Sequence, residues 1–283
     1  MNDGKTPGLG AEGPYRSAMQ SSSFGPAAWL LDGAARRDLG TYYAFCRAVD
    51  DCADEFAPKE ARRHLAAWRE ELAALAQGNP GSELGRDLAD LLRRRGIPLA
   101  RLGELLDGAE ADAAGKARLR TRADLRRYCY QVAGSVGRAC LPIFGVEEVR
   151  GEGFARALGE AFQIINILRD VREDARRGRR YVALEDLTRF GLTEGEFLAG
   201  EGGARAQRLF YEYGRLARAA LREADRAAAG LPAKGLRAPR MMRLVYGGIL
   251  ETMEKDGYRV FEKRYSLGRR KKFAALARGL LWG

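Results

Sequence analysis

One histidine, His64, and four cysteines without a CxxC pair leave the chain short of the ligand spacing of a zinc centre, which is therefore not expected. No GxSxG elbow occurs, and His64 sits in "RRHLAAWREE", a stretch that reads as packing or surface rather than catalysis. No apolar run approaches the roughly 18 residues that a spanning helix needs. The first residues carry no apolar core of a secretory leader, so the expected location is the cytoplasm, with the cysteines reduced. Apolar–polar alternation of useful length is absent too, which removes the usual signal for strands.

Basic charge, by contrast, is plentiful. Lys and Arg number 49 against 38 Asp and Glu, a formal charge of +11 with a pI near 9.7. Such a surplus suits an anionic partner: nucleic acid, acidic lipid or a phosphorylated small molecule. No basic helix interleaved with base-stacking aromatics appears, so a nucleic-acid partner is not expected. With 46% apolar residues in 283, the chain reads as globular.

From Pro26 onward almost every segment carries helical periodicity, punctuated by "NPG" at 79–81, "GIP" at 96–98 and "GLPAKG" at 230–235, which read as loops. The expectation is an all-α protein with a flexible Gly- and Pro-rich lead-in over 1–16 and one helical domain over 17–283.

Two of its helices are unusual. In "YYAFCRAVDDCADE", Tyr43, Arg47, Asp50 and Asp54 fall at i, i+4, i+7 and i+11 and share a face, while Phe45, Val49 and Cys52 point to the core. In "QIINILRDVREDARRGRRY", Ile164, Leu168 and Val171 make the apolar stripe, and Gln163, Asn166, Asp170 and Asp174 make another. A solvated face prefers long Glu and Lys of alternating sign, and short Asn and Asp are poor helix formers. Each helix thus offers oxygen ligands one turn apart. Magnesium binds through a few carboxylates, waters and substrate phosphates, which two facing acidic helices would suit. Arg47, Arg169 and the "RRGRR" run at 176–180 place base for phosphate beside acid for metal.

The two stretches closely resemble the aspartate-rich signatures of the squalene and phytoene synthases, which join two all-trans prenyl diphosphates head to head. "SSSF" at 21–24, "YCYQVAGSVG" at 128–137, "RLVYGGILETME" at 243–254 and "KRYSLGRRKK" at 263–272 extend the likeness over almost the whole chain. The resemblance implies a single-domain isoprenoid-synthase-type helical bundle around a deep central cavity. By position, Asp50 and Asp54 match the first metal-binding pair, and Asn166, Asp170 and Asp174 the second, together holding two to three magnesium ions. Tyr43, Arg47, Tyr128 and Arg169 take the positions with catalytic roles. Ser21, Ser23, Gln163, Tyr181, Tyr246 and Arg264 match residues that grip the diphosphates or shape that end of the cavity. Val136 and Gly137 match the hydrophobic tunnel, and Phe24, Phe45 and Phe162 are candidates for an aromatic lining. Ala183 departs from the resemblance, standing where a proline is common, and is expected to loosen the helix start there.

The implied reaction begins with loss of diphosphate from one substrate to leave an allylic cation. The C2–C3 double bond of the second attacks it, and loss of a proton closes a cyclopropane. The expected substrates are two farnesyl diphosphates, giving presqualene diphosphate or a squalene-type C30 product. Phytoene synthesis from two geranylgeranyl diphosphates is the alternative within the enzymes, and a non-enzymatic assembly factor of the same fold the alternative outside them. Because all five expected metal ligands are present, an enzyme is favoured. NADPH is permitted but not favoured, and oligomeric state is left open. The tail "RRKKFAALARGLLWG" at 269–283 is basic and apolar together, and is expected to visit an anionic membrane surface peripherally.

Overall fold

The computed structural model describes residues 6–9, 19, 25–114 and 119–268. Every regular element among them is helical: α1 (Gly25–Ala28), α2 (Gly33–Asp54), α3 (Pro58–Ala76), α4 (Glu83–Arg95), α5 (Ala100–Ala113), α6 (Arg122–Cys129), a π-helical turn (Tyr130–Gly134), α7 (Ser135–Ile143), α8 (Glu148–Arg176), α9 (Leu184–Arg189), α10 (Glu194–Leu198), α11 (Gly203–Ala227) and α12 (Ala233–Lys255). Local chemistry sets many of the boundaries. Asp32 caps α2 by accepting from the Ala35 N–H at 2.8 Å, and Thr121 and Asp124 form a reciprocal capping box at the start of α6. Gly96, left-handed at φ 64°, ends α4.

The helices close two apolar cores rather than one. Phe45, Leu65, Trp68, Leu88 and Leu106 anchor the first, among α2 to α5 and α7. Ile165, Leu168, Leu209, Tyr213 and Met241 anchor the second, among α8, α11 and α12. Phe144 packs against both. The central helix α8 buries Ile164, Leu168 and Val171 as its spacing predicts, leaving its polar stripe to face the space between the cores.

Beside that space α8 meets its neighbour, the π turn, at a glycine. A Cβ on Gly159 would lie 2.7 Å from the Gly134 nitrogen and 2.8 Å from the Ala133 carbonyl carbon, both in the π turn. The π turn lies within "YCYQVAGSVG", where helical periodicity alone did not signal it. Gly159→Ala is expected to cost about 1–3 kcal/mol in stability because backbone, not a flexible side chain, must move. Urea unfolding measures it; a loss under about 0.5 kcal/mol would mean the crossing relaxes freely.

Three expectations change here. "GLPAKG" is a shorter loop than its composition suggested, since α12 begins at Ala233, and Gly235 lies inside the helix at a close approach where a Cβ would come 2.8 Å from the Phe144 oxygen. Ala183 does not leave its helix start loose: its N–H donates to the buried Tyr213 hydroxyl at 2.7 Å, a bond that proline would forgo. Within the lead-in, residues 6–9 lie against α2 and α3. Trp68 Nε1 donates to the Pro7 carbonyl at 3.0 Å, Thr6 Oγ1 lies 3.0 Å from His64 Nδ1, and Gly8, at φ +78°, sits where a Cβ would come within 2.6 Å of Ala48. His64 is accordingly a buried packing residue.

Candidate active site

A cavity of about 540 Å³ lies between the two cores. Asp50 and Asp54 reach it from the C-terminal half of α2, and Asn166, Asp170 and Asp174 from the C-terminal half of α8. Tyr43, Arg47, Tyr128, Val136, Gly137, Gln163, Arg169, Tyr181, Tyr246 and Arg264 line the same cavity. Ser21, Ser23 and Phe24 lie outside the described residues. Of the aromatic candidates, Phe162 lines the wall and stacks on Tyr246 at 4.1 Å. Phe45 does not: it is fully buried, edge-on to Trp68 at 5.1 Å, because its position on α2 faces the first core.

One end of the cavity is charged and the other apolar. Asp50 keeps an exposed face at the cavity, and its carboxyl is pushed up to about 7, by desolvation among the surrounding groups first and then by Asp54 nearby. Asp174 also rises to about 7, through burial and then the Asp170 charge. Asp170 goes the other way. Burial would raise it, but hydrogen bonds from Arg169 Nε at 3.0 Å and Arg264 Nε at 2.7 Å hold it below the ordinary carboxylate range. Arg179 pairs with Asp54 and donates to the Ala53 carbonyl at 3.1 Å, tying the loop after α8 to the end of α2. Arg47 pairs with Asp51 at 2.6 Å along its own helix. The far end is walled by Leu39, Leu141, Phe144, Phe154, Leu158 and Met242.

Asp112 was not among the sequence candidates. It lies on α5 at i+7 from Leu105 and i+3 from Ala109, which line the cavity with it, so the available signal was a carboxylate interrupting an apolar stripe. Tyr128 and Tyr181 both donate to it at 3.0 Å, and their rings stack at 5.1 Å. Burial still raises its carboxyl to about 6 against those two hydrogen bonds. Tyr128→Phe and Tyr181→Phe each remove one donor and keep the stack, and each should lower turnover about tenfold to a hundredfold through a mispositioned carboxylate. Steady-state kinetics of both variants test this, and an unchanged kcat in both would remove Asp112 from the working site.

Among the described residues no three His, Cys, Asp or Glu side chains stand close enough to enclose a cation as they are. Arginines occupy the positions that a cation would take beside Asp54 and Asp170. The donor set nevertheless fits a hard divalent ion. It is all oxygen, two of its carboxyls are raised by burial and then by a neighbouring carboxylate, and Asn166 Oδ1 is a buried acceptor with no hydrogen-bond partner.

Residues 18–271 match the family model described as squalene/phytoene synthase. The chain is 34% identical over 263 residues to the presqualene diphosphate synthase of Rhodopseudomonas palustris, covering 93% of this chain and 94% of that one. It is 36% identical over 262 residues to the phytoene synthase of Thermus thermophilus, covering 92% and 86%. A dehydrosqualene synthase crystal structure superposes with a TM-score of 0.85 at 27% identity, covering 95% of each chain.

Proposed function

Because the chain belongs to the squalene/phytoene synthase family of prenyltransferases, and its cavity runs from facing carboxylate helices to an apolar end, we propose that it condenses two farnesyl diphosphates head to head with magnesium, giving presqualene diphosphate or another C30 product. The observation that carries this reading is that continuity of charge and hydrocarbon lining within one cavity. An amphiphile with a diphosphate head and a long isoprenoid tail has the same polarity along its length. The likeness to a presqualene diphosphate synthase and a dehydrosqualene synthase supports the shorter C15 pair. The likeness to phytoene synthases supports the C20 reading, which the experiment below must therefore include.

Asp50, Asp54, Asn166, Asp170 and Asp174 would hold the divalent ions. When bound, these supply a Lewis acid and a clamp for the departing diphosphate. Arg169, Arg179 and Arg264 can move from carboxylate to phosphate oxygens once a cation balances the acids, each presenting a planar fork to the anion. The aromatic faces of Tyr128, Tyr181, Phe162 and Tyr246 lie along the cavity, where π-density stabilises an adjacent carbocation. The apolar walls keep water from that cation. Asp112 holds the Tyr128 and Tyr181 hydroxyls, and so sets where those rings stand.

Purified protein is incubated with farnesyl or geranylgeranyl diphosphate, with magnesium or EDTA, and with or without NADPH, and products are identified by mass spectrometry. A magnesium-dependent C30 product from farnesyl diphosphate alone is expected; turnover of geranylgeranyl diphosphate only would replace the C30 assignment with phytoene synthesis. Arg47→Lys keeps charge but loses the fork, and should weaken affinity for a non-hydrolysable thio-diphosphate by about tenfold. Arg215, 82% exposed on α11, should tolerate the same change. Equal effects at the two positions would reassign Arg47 to its pairing with Asp51.

A further inference from the structure

Trp29 is 72% exposed, on a short connection between α1 and α2. Its position is built, not incidental. Arg36 Nε donates to the Ala28 carbonyl and Arg36 Nη2 to the Leu31 carbonyl, both at 3.1 Å, and the same guanidinium lies 5.2 Å from the Trp29 ring centre. One side chain thus pins both ends of the connection and flanks the indole that the connection holds outward. Arg37, on the first turns of α2, and Lys234, at the start of α12, are exposed, and Lys234 is near enough to Asp32 to act on its carboxyl. The acids nearby are engaged: Asp32 caps α2, and the buried Asp38 accepts from Arg94 and Arg95. The corner therefore joins an exposed indole to a surplus of positive charge.

Its place in the fold is as informative as its chemistry. Leu39, at the apolar end of the cavity, lies about 9 Å along α2 from the helix start, and Asp50 roughly 25 Å. Pro239, another lining residue, is about 9 Å from the start of α12, against which α1 packs. The corner is thus at the hydrocarbon end of the bundle, opposite the carboxylates.

We infer that the α1–α2 corner is the surface by which the protein sits on an anionic lipid bilayer, with Trp29 in the headgroup region and Arg37 and Lys234 facing lipid phosphates. Indole combines an apolar body with a polar N–H and partitions to that boundary, and clustered cations add attraction that salt screens. That the apolar end of the cavity then faces the membrane, where a C30 product can leave without crossing water, rests on the condensation reading; the docking itself does not.

The test uses no substrate, so it stands whether or not the reaction is as proposed. Full-length Trp282→Phe protein retains two tryptophans, Trp29 and the buried Trp68. It is titrated with phosphatidylglycerol or phosphatidylcholine vesicles containing brominated acyl chains, which quench indoles at the boundary. Quenching is expected with phosphatidylglycerol, is reversed by high salt, and disappears when Trp29→Ser is added. Arg37→Glu with Lys234→Glu should lower vesicle affinity at least about tenfold. Sedimentation with the vesicles but no Trp29 quenching would overturn the assignment in favour of another face, the 269–283 tail included; no binding to phosphatidylglycerol would overturn it outright. If docking is confirmed, phosphatidylglycerol vesicles should raise steady-state turnover but not the first turnover, and Trp29→Ser should remove only that stimulation.

Discussion

Asp50→Asn and Asp170→Asn are each expected to lower turnover about a thousandfold with helicity unchanged by circular dichroism, because each removes one oxygen anion from the charged end of a single cavity. Their effects on stability should have opposite signs. Asp50 is held in a cavity where burial and Asp54 oppose its charge, so the neutral amide relieves strain and should raise the melting temperature of the metal-free protein by a few degrees. Asp170 accepts from Arg169 and Arg264, and its amide leaves those guanidiniums without their counter-charge, at a loss of about 1–3 kcal/mol. Equal losses of activity with opposite changes in stability would show that turnover is lost at the site itself and not through unfolding. Near-normal turnover of the folded Asp50→Asn enzyme with magnesium would remove α2 from the metal site.

Without metal, the protein should become less stable as pH rises from about 5 to about 7. Asp50 and Asp174 titrate near 7 and Asp112 near 6 when folded, all above an unfolded aspartate, so these three groups bind more protons in the folded chain throughout that window. Stability then falls as pH climbs to the folded values, and levels off beyond them. His64, pushed down by burial, opposes this, and so do carboxylates held low by arginines, Asp170 among them, but an unfolded carboxylate is already ionised above about pH 5, so the three raised groups govern the range beyond it. Thermal melts at pH 5 and pH 7.5 should differ by several degrees in favour of pH 5. Magnesium with inorganic diphosphate should reverse the order, because only ionised carboxylates ligate and ligand binding adds its free energy to the folded state. A melting temperature that is indifferent to pH in the metal-free protein would mean that the acids are already neutralised by arginines, and that no cation is needed to bring them together.

What the sequence determined by itself was which residues share a helix face. A period of 3.6 residues directs Tyr43, Arg47, Asp50 and Asp54 the same way whatever surrounds α2, and does the same for Gln163, Asn166, Asp170 and Asp174 on α8. Those side chains accordingly meet in one cavity. The resemblance added residues from other helices, and the fold brings its described members to that cavity too. Only the tertiary structure decided which side chain meets which across helices. The pairing of Arg179 with Asp54 spans 125 residues, and Tyr181 reaches Asp112 across 69, distances over which local spacing carries no information. It also decided that Phe162 lines the cavity while Phe45 fills a core, since both are aromatic residues on helices and differ only in what packs against them. Tertiary packing likewise decided where α8 meets the π turn, an approach so close that a Cβ on Gly159 would lie 2.7 Å from the Gly134 nitrogen, which no local spacing foretells.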